Sequence, residues 1–145
     1  MADIWAVRPT LEQLNRTHHT MVGHLGIEIT EMGDDYLKAR MPVDQRTHQP
    51  YGLLHGGASV TLAETLGSLG AAMCVDPQRY QVVGLEINAN HERGVREGWV
   101  TGVARPLHRG RTTQLWEIKI TDAADKLVCI SRITIAVLEK ASPAS

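Results

Sequence analysis

Apolar and polar residues alternate along two early segments, give way to one long apolar run, and alternate again to the end of the chain. Leu25–Met32 alternates, and beyond the turn signal Gly33-Asp34-Asp35 so does Tyr36–Val43, which together predict a β-hairpin. From Gly56 to Val75 the side chains are small or aliphatic and Glu64 is the only charge, a pattern that predicts one buried helix holding a lone carboxylate. Asp76-Pro77 stops that helix. Gln81–Asn90, Glu97–Ala104, Thr112–Thr121 and Leu127–Leu138 read as strands, separated by a bend over Arg105–Arg111 and a turn over Asp122–Lys126. Upstream, Thr10 and Gln13 have capping-box spacing and open a short helical segment over residues 10–18. Asp44–Gly52 is polar, holds Pro50 and Gly52, and reads as a loop delivering the chain to the central helix. Residues 139–145 are expected to fray.

Two strands, one long helix and then a run of strands argue for an α+β class with an antiparallel sheet, because a parallel sheet would need a helix between each strand pair. One helix has to cover that sheet, so it lies on the concave face, where its many Gly, Ala and Ser residues permit close approach. The 145 residues are 43% hydrophobic, enough for a core in a single domain spanning residues 1–145. A net charge of −1 provides no general field for nucleic acid. Cys74 and Cys129 read as small buried hydrophobes without a disulfide framework, and with no signal peptide at the start the expected setting is cytoplasmic. The apolar run approaches membrane-spanning length, but its four glycines and its carboxylate make it a poor insert.

Chemistry concentrates around the helix start. Attack on any acyl carbonyl develops negative charge on its oxygen and benefits from fixed donors aimed at it. Gly56 and Gly57 open the helix, where backbone N–H groups lack intrahelical partners, the dipole is positive, and no Cβ blocks approach. Glu64 lies eight residues beyond Gly56, about 12 Å along the axis, too far for the two to share one acyl group within a single helix. Glu64 can act as a base toward water or as a nucleophile; the plain alternative is a structural carboxylate satisfied by neighbouring Thr and Ser hydroxyls. Ser68, one turn on, shares its face and can orient water or the carboxylate. Gln49 and His55 are neutral hydrogen-bonders from the loop and the helix start. Between His91 and Arg111 lie five arginines, Arg93, Arg96, Arg105, Arg109 and Arg111, against two glutamates, a local basic surface suited to phosphate oxygens or else a set of solvated turn residues. The histidines lack paired metal spacing and Gly67–Gly70 is no dinucleotide loop, so no cofactor is expected.

The run His48-Gln49-Pro50-Tyr51-Gly52-Leu53-Leu54-His55-Gly56-Gly57, the helix with Glu64 and Ser68, and Val83-Gly84-Leu85-Glu86-Ile87-Asn88-Ala89-Asn90-His91 resemble the hotdog-fold acyl-CoA thioesterases. Within them the likeness is to the bacterial branch that includes the 1,4-dihydroxy-2-naphthoyl-CoA and enterobactin-pathway proofreading thioesterases, and it extends from about Leu11 to Leu138. The resemblance implies a hotdog fold, a long helix wrapped by a curved antiparallel sheet, and homodimers with joined sheets, paired into a homotetramer. It implies a site shared across the dimer, with Glu64 of one subunit facing the His55-Gly56 segment of the other. Gln49, His55, Gly56, Glu64 and Ser68 are the candidate catalytic residues. Gly84, with His91-Glu92-Arg93-Gly94 and His108-Arg109-Gly110-Arg111-Thr112-Thr113, forms the candidate substrate and coenzyme A site. The implied substrate is an acyl-CoA, an aryl-CoA by resemblance alone, or a carrier-protein thioester. Rival readings are a hotdog hydratase or dehydratase on an enoyl or 3-hydroxyacyl chain, and a non-catalytic acyl-CoA sensor, for which the chain offers no evident output domain.

Overall fold

A computed structural model describes residues 3–141. The elements run α1 (Leu11–Leu14), α2 (Met21–His24), β1 (Glu28–Met32), β2 (Leu37–Val43), α3 (Gly56–Met73), β3 (Tyr80–His91), β4 (Gly98–Arg109), β5 (Thr113–Thr121) and β6 (Leu127–Glu139). The strands form one antiparallel sheet in the order β1-β2-β4-β5-β6-β3, curved around α3.

Local chemistry accounts for the boundaries. At α1 the Thr10 hydroxyl accepts from Gln13 N–H (3.1 Å) while the Gln13 side chain accepts from Thr10 N–H (2.8 Å), the reciprocal capping box that the spacing predicts. The helix ends at Leu14, short of the expected residue 18, and a second one-turn helix capped by Thr20 follows after His19, whose φ of 64° interrupts helical winding. β4 continues through Arg105–Arg109, where a bend was expected. A register shift between Pro106 and His108 places the proline at a bulge, so its missing N–H does not break the ladder. The connection to β5 shrinks to Gly110–Thr112. The expected fraying at 139 and 140 is also corrected: β6 includes Glu139, and Lys140 N–H donates to Arg79 O at 2.8 Å. The rest of that expected tail, from residue 142, lies outside the described residues.

The core lies between α3 and the inner face of the sheet. Leu62 and Leu66 pack in the same fully buried cluster as Trp116, Ile118, Ile133 and Ile135. Small residues set the spacing: a Cβ on Gly67 would lie 2.5 Å from Ile133, and one on Gly70 would lie 2.8 Å from the Trp116 ring. Trp5 stacks on Trp116 with ring centroids 6.2 Å apart, and the N–H groups of Ala6 and Val7 donate to Met73 O, closing one of the carbonyls left open at the end of α3. The sheet covers only one side of the helix. Glu64 is therefore exposed, flanked by the half-buried Thr61, Thr65 and Ser68, where a buried carboxylate was expected. The apolar run looks uniformly buried because its open face is built from small residues rather than charged ones.

Candidate active site

The loop before α3 is held rigidly. Thr47 Oγ1 donates to Pro42 O (2.7 Å), His55 N–H donates to Thr47 O (2.8 Å), and Leu54 N–H donates to Val95 O (2.7 Å). His48 Nε2 lies 2.8 Å from Arg96 O, tying the same loop to the β3–β4 connection. At its start, the Arg46 side chain and then the Arg46 N–H hold the Asp44 carboxyl down to about 2, so the pair stays ionised and fixes the turn.

This loop sets the donors. Gln49 Oε1 accepts from Tyr51 N–H, which leaves the Gln49 amide hydrogens to donate elsewhere. His55 is the N-cap of α3: its Nδ1 accepts from Gly57 N–H at 2.8 Å, so the neutral ring carries its proton on Nε2. Of the two glycines expected to offer oxyanion donors, Gly57 is thus engaged, and Gly56 N–H has no acceptor among the described residues. Gly56 is also pressed by His91, whose Nε2 would lie 2.9 Å from a Cβ there, so only glycine leaves both the ring and the N–H in place. Gln49, Leu53, Gly56, Ser59, His91, Glu92, Arg93 and Gly94 line one cavity of about 400 Å³. The His91–Gly94 segment expected at the substrate therefore meets the donors Gln49 and Gly56.

Glu64 and Ser68 line a different cavity, of about 490 Å³, whose walls are Leu14, Thr17, Met21, Val22, Ile29 and Leu69. The hydroxyls of Thr61 and Thr65 donate to Gly57 O (2.9 Å) and Thr61 O (2.7 Å), back along the helix, so they are not spent on the carboxylate. Gly84 on β3 faces Glu64: a Cβ there would lie 3.3 Å from Glu64 Oε1. One chain thus holds the candidate donors in one cavity and the carboxylate in another.

The basic segments also divide. Gly84 is level with Ile135, Gln114 and Arg109 across the sheet, whereas His91 is level with Cys129. Six residues of β6 separate these rows, about 20 Å. His108 and Arg109 line a groove with Ile4, Asp35 and Leu107, and Arg111, Thr112 and Thr113 are exposed in and beside the turn that Gly110 opens. Arg105 is committed to Asp35 (3.0 Å) and to the face of Tyr36 (4.7 Å). The single basic surface expected from sequence is therefore split within one chain into a His91 end and an Arg109 end.

Comparison with known proteins identifies the family. The sequence pattern described as Thioesterase superfamily matches residues 51–129. The chain belongs to the thioesterase superfamily. It is 54% identical over 136 residues to the 1,4-dihydroxy-2-naphthoyl-CoA hydrolase of Escherichia coli K12, covering 93% of this chain and 99% of that protein. Identity to the proofreading thioesterase EntH of Cronobacter turicensis is also 54% over 136 residues, covering 93% and 98%. The crystal structure of the Q49A variant of thioesterase PA1618 from Pseudomonas aeruginosa matches with a TM-score of 0.93 at 51% identity, over 95% of this chain and 100% of that one. The protein is a thioester hydrolase with the hotdog fold.

Several features of this thioesterase are not visible in sequence patterns. Leu14, Thr17, Met21, Val22 and Ile29 wall the Glu64 cavity, yet each is an ordinary side chain whose role comes only from where α1, α2 and β1 fold. Burial pushes the Cys74 thiol up to about 11 and raises that of Cys129, so neither cysteine is a thiolate nucleophile at neutral pH. Among the described residues no cluster of three His, Cys, Asp or Glu side chains could hold a metal ion, and no helix is long and apolar enough to cross a membrane.

Proposed function

We propose that this thioesterase hydrolyses acyl-CoA, with an aromatic acyl group in the Glu64 cavity and the thioester carbonyl on Gly56 N–H and the Gln49 amide of a second copy. The carrying observation is the split itself: an open helix-start donor and an exposed carboxylate sit about 12 Å apart along one helix, in separate cavities. β3 offers the means of joining them. It is a twelve-residue edge strand with Val83 and Leu85 exposed, and a second copy pairing along it would complete the sheet. A two-fold axis that sets the two α3 helices antiparallel brings each Glu64 toward the other's Gly56.

In that setting Glu64 takes a proton from a water that attacks the carbonyl carbon. Alternatively its own oxygen attacks and water then opens the mixed anhydride; by either route the C–S bond breaks and coenzyme A leaves as the thiol. Ser68, one turn along, positions the water or the carboxylate, and His55 presents its Nε2–H beside the carbonyl. The cavity walls favour a flat apolar acyl group. His91-Glu92-Arg93-Gly94 from one copy and His108–Thr113 from the other hold the coenzyme A phosphates and nucleotide, and a carrier-protein thioester presents the same reacting group. The reading extends to a cytoplasmic homotetramer of paired dimers.

The test is thiol release from a panel of aryl- and alkyl-CoA thioesters. Glu64→Ala is expected to lower kcat by about 100-fold or more while the fold survives, because the side chain is exposed. Near-normal turnover in that variant, or water addition to an enoyl-CoA without thiol release, would sink the reading.

A further inference from the structure

The outer wall of the Glu64 cavity is a short cap, residues 11–24, whose two one-turn helices bury no residue completely. Leu14 and Val22 pack against the core, and among the described residues the cap's side-chain hydrogen bonds to the sheet come from Asn15. Asn15 Nδ2 donates to Ile29 O at 2.9 Å, and Asn15 Oδ1 accepts from Ile29 N–H at 2.7 Å. Ile29 lies on β1, an end strand of the sheet, with its peptide groups turned outward, so the asparagine amide pairs with it as one more strand residue would. Only an amide carries the required donor and acceptor on a stem this short.

The position of this clamp is what gives it a role beyond stability. Asn15 sits between Leu14 and Thr17, both lining the cavity, and Ile29 lines it from the strand side. Met21 and Val22 follow on the same cap. We propose that Asn15 is a positioning residue for acyl recognition: by locking the cap to β1 it fixes the width of the acyl cavity without touching the reacting atoms. The proposal rests on the acyl-CoA reading above.

The test compares the wild type with Asn15→Ala and Asn15→Asp. Asn15 has φ −93° and ψ 9°, the bridge conformation used by residue i+2 of type I turns, and with φ negative alanine meets no left-handed strain there. For benzoyl-CoA, Asn15→Ala is expected to raise KM about tenfold and leave kcat within about twofold, since two buried-edge hydrogen bonds are lost but no reacting group moves. The inhibition constant of free coenzyme A, which has no acyl group, stays unchanged. Asn15→Asp keeps the acceptor but sets a carboxylate oxygen against Ile29 O, and is expected to raise KM at least as much as Asn15→Ala. Amide hydrogen exchange rises over residues 11–24 in Asn15→Ala and is unaffected in β4, β5 and β6. An unchanged KM, or equal losses in benzoyl-CoA and coenzyme A binding, would overturn the proposal. If the wild type releases no thiol from benzoyl-CoA the acyl-CoA reading fails first, and unchanged exchange over residues 11–24 would show separately that Asn15 does not hold the cap.

Discussion

His55 places two requirements on one ring. Its Nδ1 caps α3 by accepting from Gly57 N–H, and the same bond directs the remaining proton to Nε2, which in the proposed reaction donates to the thioester carbonyl. The two roles separate by substitution. His55→Ala is expected to cost about 1 kcal/mol of stability through the lost cap, and His55→Asn to restore most of it, because asparagine caps well. Turnover should fall about tenfold or more in both, because neither replacement donates from the Nε2 position. Recovery of full turnover by His55→Asn in a thiol-release assay would reduce His55 to a cap. Candidates of this kind stand out in the sequence because each is a rare chemical group in a bland setting: a lone Glu64 among aliphatics, a histidine against two glycines. Asn15 was not legible, since its partner Ile29 lies fourteen positions away and nothing in the local pattern distinguishes it from a turn residue.

At the scale of elements, α3 shows packing overruling propensity. Glycine inside a helix costs about 1 kcal/mol relative to alanine, so Gly70→Ala would stabilise an isolated helix. Here the added Cβ meets three atoms of the Trp116 ring, two of them at 2.8 Å. That ring is fully buried, stacked by Trp5, and held by its Nε1–H to Gln114 at 2.8 Å. It cannot move aside cheaply. Gly70→Ala is therefore expected to destabilise by about 1–2 kcal/mol net, overpacking outweighing propensity. Urea unfolding checks the sign, and a more stable variant would mean that α3 can lift off the sheet. The sequence pattern located every strand from β1 to β6 because alternation marks a half-buried ribbon. It misjudged β4, where Pro106 and the following basic residues look like a turn, because a bulge that removes the proline from the ladder depends on a partner strand. It read Glu64 as part of a buried helix because small residues serve equally well at a close contact and on an open face.

At the scale of the whole molecule, the division of donors and carboxylate between two cavities decides what a mixture of damaged subunits can do. A Gln49→Ala subunit keeps Glu64, and a Glu64→Ala subunit keeps Gln49 and Gly56. If each site takes its carboxylate from one copy and its donors from the other, a mixed dimer holds one intact site and one doubly damaged site. Half of the dimers in a random equimolar mixture are mixed, so the mixture should reach about a quarter of wild-type activity while each parent alone stays far lower. A site built within one chain predicts no such recovery, because every chain in the mixture lacks one essential group. In the proposed dimer the subunits meet along the β3 edge, so a proline at Leu85, on the exposed outer strand, should block assembly and the recovery together. Sedimentation of the Leu85→Pro variant reads the assembly, and thiol release from the mixture reads the site. A mixture no more active than its parents, from subunits shown to exchange, would place both halves of the chemistry on one chain and remove the need for the second copy.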